Sequence, residues 1–334
     1  MKEAMIATIT LNPCLDQHIT VDGLVVDGTN RWTSMRFYAG GKGIDVSRAI
    51  HEMESKTIAY GFVGGPAGRT LEILLDEEGV PFSFTPIQRE TRTNFIITDT
   101  KSSHQTRIDA PGPYISKREY ERFRRKMMRI YPGPDLIVIG GSVPPGIPSD
   151  VYHAITMEAK AFGVRTILDS DSQWLAAGIK AKPYLIKPNV EEAEALLNRE
   201  LPTEEAIIKA ALDLVDTGIE IAVISRGKDG VIAATKEKVV KAVPPPVKVR
   251  SMVGAGDCTI AGLALKLANE EPLLEACRLA VAMGTAAVLT PGTELARRAD
   301  VERLLPQIKV EDITNRQRSK TLFTTGKDIS GADG

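Results

Sequence analysis

The chain has 334 residues, 43% apolar and 25% charged, and its 42 Lys and Arg offset 43 Asp and Glu to leave a net charge of −1. That composition suits one large α/β domain, or a core with a small appendage, and excludes a disordered chain or a broadly basic, nucleic-acid-binding surface. The longest apolar runs, such as 136–139 and 280–289, fall well short of the roughly 20 residues a membrane helix needs, so no membrane partner is expected.

Residues 5–10 alternate as a strand, and a Lys and a Glu precede them without an apolar signal core, so a cytoplasmic protein is expected. About 25 residues of alternating character follow, then a helix over 44–53. A second irregular excursion reads as a β-hairpin, with strands over 93–97 and 105–108 around a turn at 99–103. Two strand-rich insertions in an α/β chain predict a small second sheet, placed as a flap over the open sheet edge or the substrate cleft.

From about residue 135 short apolar runs alternate with amphipathic stretches, the pattern of β-α units and a parallel sheet. Strands are predicted over 136–139, 166–168, 184–186 and 221–224, and helices over 149–162, 171–178, 190–198 and 203–217. Ligands of parallel sheets bind at the carboxyl ends of strands, so the loops after these strands are where chemistry is expected. Residues after about 311 lack periodicity and read as a weakly ordered tail. Cys14, Cys258 and Cys277 are too scattered for a disulfide framework or a zinc site, and His18, His51, His104 and His153 lack ligand spacing.

The strongest local signal is Val253, Gly254, Ala255, Gly256 and Asp257 before a helical pattern over 258–268. Glycines opening a helix let backbone N–H groups approach an anion, which makes a phosphate cradle. An Asp there suits a base that takes a proton from an attacking hydroxyl, although a plain helix cap fits the same residues. No Gly-Lys pair is followed by Ser or Thr and no G-x-G-x-x-G occurs, which excludes two common nucleotide-binding designs.

Gly40, Gly41, Lys42 and Gly43 form a second glycine-rich helix entry, where Asp45 could accept sugar hydroxyls or the turn could be merely structural. Asn189 and Glu192 have capping-box spacing, and could alternatively organise Mg²⁺ through water. The turn from Ser225 through Arg226, Gly227, Lys228 and Asp229 to Gly230 is either an exposed hairpin or a nucleotide-phosphate contact. Arg31, Arg92 and Arg107 on the excursions could clamp a phosphorylated substrate.

In chain order these motifs resemble the ribokinase-like carbohydrate kinases, also called the phosphofructokinase B family, to about residue 306. The resemblance rests on Asn12-Pro13-Cys14-Leu15-Asp16, Gly40 to Gly43, Gly140-Gly141-Ser142-Val143-Pro144-Pro145-Gly146, Lys187-Pro188-Asn189 with Glu192, and Gly254 to Asp257. It implies a three-layer α/β/α core with a small β-sheet lid. The kinase domain would span 1–310, with lid strands from about 14–38 and 92–110, before the polar tail over 311–334.

By that likeness Asp257 is the general base, and Gly254, Ala255 and Gly256 form the anion hole. Asp16, Gly41, Asp45, Arg92 and Ser142 would line the sugar site. Lys187, Asn189, Ser225, Gly227 and Gly230 would serve ATP, and Asn189 with Glu192 would serve Mg²⁺. Ser251, Val253, Ala287, Thr290 and Gly292 match positions where family members hold a monovalent cation such as K⁺.

One departure is Asp45, where the family usually has Asn; an ionised carboxylate accepts but cannot donate hydrogen bonds. Pro244 to Lys248 and Pro291, Gly292 and Thr293 look most like the phosphofructokinase and tagatose-phosphate kinase branch. The expected activity is ATP-dependent phosphorylation of fructose 6-phosphate, with tagatose 6-phosphate and fructose 1-phosphate as alternatives. A non-catalytic sugar-binding regulator on the same fold is the rival class. A homodimer through the lid strands is expected because open sheet edges find partners.

Overall fold

A computed structural model of the chain describes residues 4–170 and 172–314. In chain order its strands are β1 (Ile6–Thr10), β2 (Cys14–Val21), β3 (Trp32–Gly40), β4 (Thr57–Val63), β5 (Phe82–Pro86), β6 (Arg92–Asp99) and β7 (Gln105–Ile108). They continue with β8 (Leu136–Gly140), β9 (Arg165–Asp169), β10 (Leu185–Ile186), β11 (Ile221–Ser225), β12 (Val231–Ala234), β13 (Val239–Val243) and β14 (Lys309–Asp312). Among the described residues, ten strands form one sheet in the order β14-β13-β12-β11-β10-β9-β8-β1-β4-β5. The sheet is parallel from β5 to β11, and β12, β13 and β14 extend it antiparallel.

β1 and β8 are buried throughout, because both faces of a parallel sheet are covered by helices. The period of two divides their side chains between two cores. Leu136 and Val138 pack with helices Lys42–Glu52, Ala255–Ala268 and Leu273–Ala287, whereas Ile137 and Ile139 pack with helices Lys117–Ile130, Val151–Ala161 and Glu204–Asp216. This is the three-layer architecture expected from the resemblance.

Helix Ala255–Ala268 is buried on nearly every side, because Lys42–Glu52 and Leu273–Ala287 press against it. A Cβ at Gly262 would fall 2.5 Å from the Ala280 Cα, so only glycine permits that crossing. The crossing fixes the helix rigidly below its amino-terminal turn.

The two excursions pair into the predicted second sheet, in the order β3-β2-β6-β7. β2 and β6 lie parallel at its centre, and β3 and β7 are its antiparallel edges. Most of β3 and all of β7 are exposed, as in a flap covered on one side only.

Several boundaries move for local reasons. The helix expected from 44 begins at Lys42, because Gly41 turns the chain at φ 119°. The helix expected from 258 begins at Ala255, so Asp257 lies inside its first turn. Of the helix expected over 171–178, Ser172–Gly178 is helical and position 171 lies outside the described residues. The tail boundary at 311 is corrected: β14 reaches Asp312 beside β13, and the Ile313 N–H donates to the Val239 carbonyl at 2.9 Å. A sheet edge orders these residues despite their unpatterned sequence; positions 315–334 lie outside the described residues.

Candidate active site

The strand order reverses at β1. The chain runs outward through β4 and β5, then returns to β8 on the other flank and continues through β9, β10 and β11. Such a switch point leaves a crevice beyond the carboxyl ends of the flanking strands. The register puts Thr10, Gly140 and Asp169 side by side there, and Leu168 opposite Ile186 sets Lys187 beyond the next strand. Glycine turns cluster at the same edge. A Cβ at Gly43 would lie 2.6 Å from Thr10 Oγ1, the atom that accepts the Ile44 N–H at 2.9 Å.

Opposite this crevice stands the first turn of helix Ala255–Ala268. Gly254 is its N-cap at φ 79°, and the first ladder bond runs from the Cys258 N–H to the Gly254 carbonyl at 2.9 Å. The N–H groups of residues 255–257 therefore precede the ladder and face an anion position. Asp257 does not cap this helix, and no hydrogen bond to its carboxyl is found among the described residues. The plain-cap reading of Asp257 is thereby removed. Burial pushes its carboxyl up to about 6; Lys42 opposes that rise, Asp169 adds to it, and Lys187 and Arg107 oppose it.

Asp169 organises two cations. Its Oδ2 is 3.3 Å from Lys42 Nζ and its Oδ1 is 3.5 Å from Lys187 Nζ, with Asp169 and Lys187 almost wholly buried. Burial alone would raise the Asp169 carboxyl, but Lys187 and Lys42 outweigh it and hold it below the usual range. A Cβ at Gly256 would sit 3.7 Å from Lys187 Nζ, which sets this ammonium beside the first turn of that helix. The sequence reading gave neither Lys42 nor Asp169 a role. A bare-backboned lysine and an acid ending a parallel strand were the available signals, but their convergence spans 127 positions in the chain.

The positions matched to the sugar site meet at the lid's base. Asp16 accepts from Asn94 Nδ2 at 3.0 Å and from the Cys14 thiol at 3.1 Å, and a Cβ at Gly40 would touch its Oδ2 at 2.8 Å. Asp45 is bound by Arg48 Nη1 at 3.1 Å, and Arg48 also forks onto Glu78 at 2.6 and 2.7 Å. Burial, then the charge of Asp257, hold the Asp45 carboxyl well above its usual range despite Arg48. Arg48 is a partner the sequence reading missed, and its guanidinium offsets the charge of an ionised Asp45.

Arg92 donates Nε and Nη2 to the Asn12 carbonyl at 3.2 and 3.0 Å and Nη1 to the Ala110 carbonyl at 2.8 Å. One N–H on each terminal nitrogen stays open. Arg107 donates to Asp109 at 2.7 Å, while Arg31 precedes β3 on an exposed stretch. A cleft of about 580 Å³ lies between the lid residues His18, Arg36 and Tyr38 and the core residues Ser251, Met252 and Gly292. Asp257 is not among the residues lining it.

Asn189 and Glu192 do form a capping box: Asn189 Oδ1 accepts the Glu192 N–H at 2.7 Å and Glu192 Oε2 accepts the Asn189 N–H at 2.9 Å. Glu192 Oε1 carries no described bond, so the box leaves an oxygen for water or a cation. Ser225 bridges Asn189 across the sheet, nothing lies within 4 Å of a Cβ at Gly227, and a Cβ at Gly230 would collide with the Ala242 carbonyl at 1.9 Å. Arg226 of this turn binds Glu204 at 2.8 Å, which takes it away from a phosphate role.

The five cation positions also gather. Ser251 Oγ donates to the Gly292 carbonyl at 2.9 Å and accepts from the Val253 N–H at 3.2 Å, and Thr290 Oγ1 donates to the Ala287 carbonyl at 2.8 Å. This set of carbonyls and hydroxyls has no carboxylate, which suits a monovalent better than a divalent ion.

The description "pfkB family carbohydrate kinase" matches residues 9–299. The chain is 34% identical to the 1-phosphofructokinase of Bacillus subtilis (strain 168) over 92% of this chain and 99% of that one. It is 35% identical to the ATP-dependent 6-phosphofructokinase isozyme 2 of Escherichia coli (strain K12), covering 90% and 97%. A tagatose-6-phosphate kinase of Staphylococcus epidermidis is 33% identical, covering 92% and 100%. Among solved structures, Escherichia coli phosphofructokinase-2 in complex with substrates and products superposes at TM-score 0.87 and 34% identity over 90% of this chain and 98% of that one. The same protein in complex with potassium gives TM-score 0.87 and 34% identity over 91% and 99%.

Proposed function

Because this chain belongs to the pfkB family of carbohydrate kinases, we propose that its substrate is fructose 6-phosphate, phosphorylated by ATP to fructose 1,6-bisphosphate. The chain is an ATP-using sugar-phosphate kinase. The observation that carries the reading is a carboxylate in the first turn of a glycine-opened helix, raised by desolvation and set near two lysines paired on one buried acid.

Asp257 takes the proton of the free primary hydroxyl as that oxygen attacks the γ-phosphorus. The bond from the γ-phosphorus to the bridging oxygen breaks, and ADP leaves with that electron pair. The open N–H groups of residues 255–257 and the Lys187 ammonium face the charge that spreads over the moving phosphoryl group. Ser225, Gly227 and Gly230 form the ATP loop. Asn189 and Glu192 would hold Mg²⁺ through water, and the ion would supply positive charge against the ATP phosphates. Ser251, Val253, Ala287, Thr290 and Gly292 would hold a monovalent cation whose charge supports the same helix turn. Asp16, Gly41, Asp45 and Ser142 bind sugar hydroxyls, and the open fork of Arg92 binds the 6-phosphate.

A coupled ADP-release assay over fructose 6-phosphate, tagatose 6-phosphate, fructose 1-phosphate and free fructose tests this. Fructose 6-phosphate should give the highest kcat/KM, and faster use of any other substrate overturns the assignment. Loss of a charge-assisted contact costs about 1.5 to 3 kcal/mol, so Arg92→Ala should lower kcat/KM for the sugar phosphate roughly 10- to 200-fold. Turnover of free fructose should barely move, and a melting curve separates this from loss of the three backbone bonds Arg92 makes. An equal loss on both substrates would remove Arg92 from the phosphate site.

The lid presents Trp32 at 60% exposed on edge strand β3 and Ile108 at 55% on edge strand β7, with Phe37 on β3 and Phe95 on the central β6 also exposed. A second copy covering this face accounts for them. Sedimentation should give a dimer at micromolar concentration, and Trp32→Asp with Phe37→Asp should shift it to monomer. A monomeric wild-type chain would discard the lid dimer.

A further inference from the structure

Asn12 lies in the turn between β1 and β2, where the chain leaves the core for the lid, and it is 3% exposed. Its Nδ2 donates to Ser142 Oγ at 3.0 Å and to the Pro111 carbonyl at 3.0 Å. The Oδ1 has no partner among the described residues. That asymmetry fixes the amide: turned over, it would set Oδ1 against the Pro111 carbonyl, two acceptors with no proton between them. The site is made to fit this amide, since a Cβ at Gly112 would come within 2.2 Å of Oδ1 and Gly112 sits at φ 101°. Because Ser142 Oγ accepts from Asn12, its own proton is left to point elsewhere, and no described group takes it.

We propose that Asn12 is a positioning residue of the sugar-phosphate site, whose amide orients Ser142 so that the serine hydroxyl donates to the substrate. This rests on the reading above that Ser142 touches the sugar phosphate. The backbone of the same residue acts in concert, since its carbonyl takes two of the Arg92 N–H groups and leaves the outer fork open. One residue at the core-lid junction thus sets a neutral and a cationic donor of one pocket. A purely structural Asn12 would support the turn without preference for either substrate.

The test is a double-mutant cycle in the full chain with Asn12→Ala, Ser142→Ala and the pair, reading KM for fructose 6-phosphate, KM for ATP, kcat and the melting temperature. Each single variant should raise the sugar-phosphate KM roughly 5- to 10-fold, the loss expected for one hydrogen bond to a neutral sugar hydroxyl, with ATP KM within about twofold. The pair should match either single, because the hydroxyl is already misdirected when the amide is gone. Multiplying effects, or an Asn12→Ala variant that raises both KM values alike, overturn the inference. If Ser142→Ala leaves the sugar-phosphate KM unchanged, the reading of Ser142 as a ligand falls first and the inference with it. Should Asn12→Ala fail to fold, Asn12→Ser carries the test: its shorter side chain cannot reach Ser142 Oγ, so the same selective KM rise is expected, and an unchanged KM overturns the proposal.

Discussion

Asp257→Asn is expected to lower kcat by about 10²- to 10⁴-fold, the range for removing a general base, with ATP affinity nearly unchanged. The carboxyl sits in the first turn of helix Ala255–Ala268 without a described hydrogen bond, so its replacement disturbs no cap and should leave folding intact. The pH profile gives an independent readout. Burial raises the carboxyl to about 6, and catalysis needs the ionised form, so kcat/KM of the wild-type protein should be flat above that pH. It should then fall about tenfold per unit below it, as protonation removes the base. The Asn variant should lose this limb. Near-normal turnover in Asp257→Asn would end its role as the base.

Gly256→Ala should separate activity from stability in opposite directions. The added methyl would meet Lys187 Nζ at 3.7 Å, an ordinary contact, so nothing in the fold needs to move. Alanine is the better helix former by about 0.5–1 kcal/mol, so the melting temperature should hold or rise. Yet the methyl occupies the space before the open N–H groups, and holding a reacting phosphoryl group off by about 1 Å costs roughly 10²-fold in turnover. Steady-state kinetics beside a thermal melt checks both signs. Unchanged turnover would mean that the phosphoryl group does not pass over Gly256.

Much of the fold was legible because its signals are local. The strands over 136–139, 166–168 and 221–224 reappear within β8, β9 and β11, since continuous branched apolar runs are what a doubly covered parallel strand requires. The hairpin of β6 and β7 likewise follows from its own turn residues. β14 escaped notice because an edge strand of four residues, largely exposed, carries no periodic pattern.

The candidate site divides along the same line. Gly41, Gly254 and Asp257 were singled out in the sequence because helix-opening glycines beside an acid are contiguous in the chain. Lys42 with Asp169, Arg48 with Glu78, and Asn12 with Ser142 were not, because each pair joins segments between 30 and 130 positions apart. The sequence by itself determined the buried parallel strands it marks with continuous apolar runs, the glycine turns and the residue types able to do phosphoryl transfer. The tertiary structure alone decided which cations share Asp169, which carbonyls hold Arg92 and which amide turns Ser142, because side-chain pairing depends on strand order and register, and periodicity encodes only the face each residue presents.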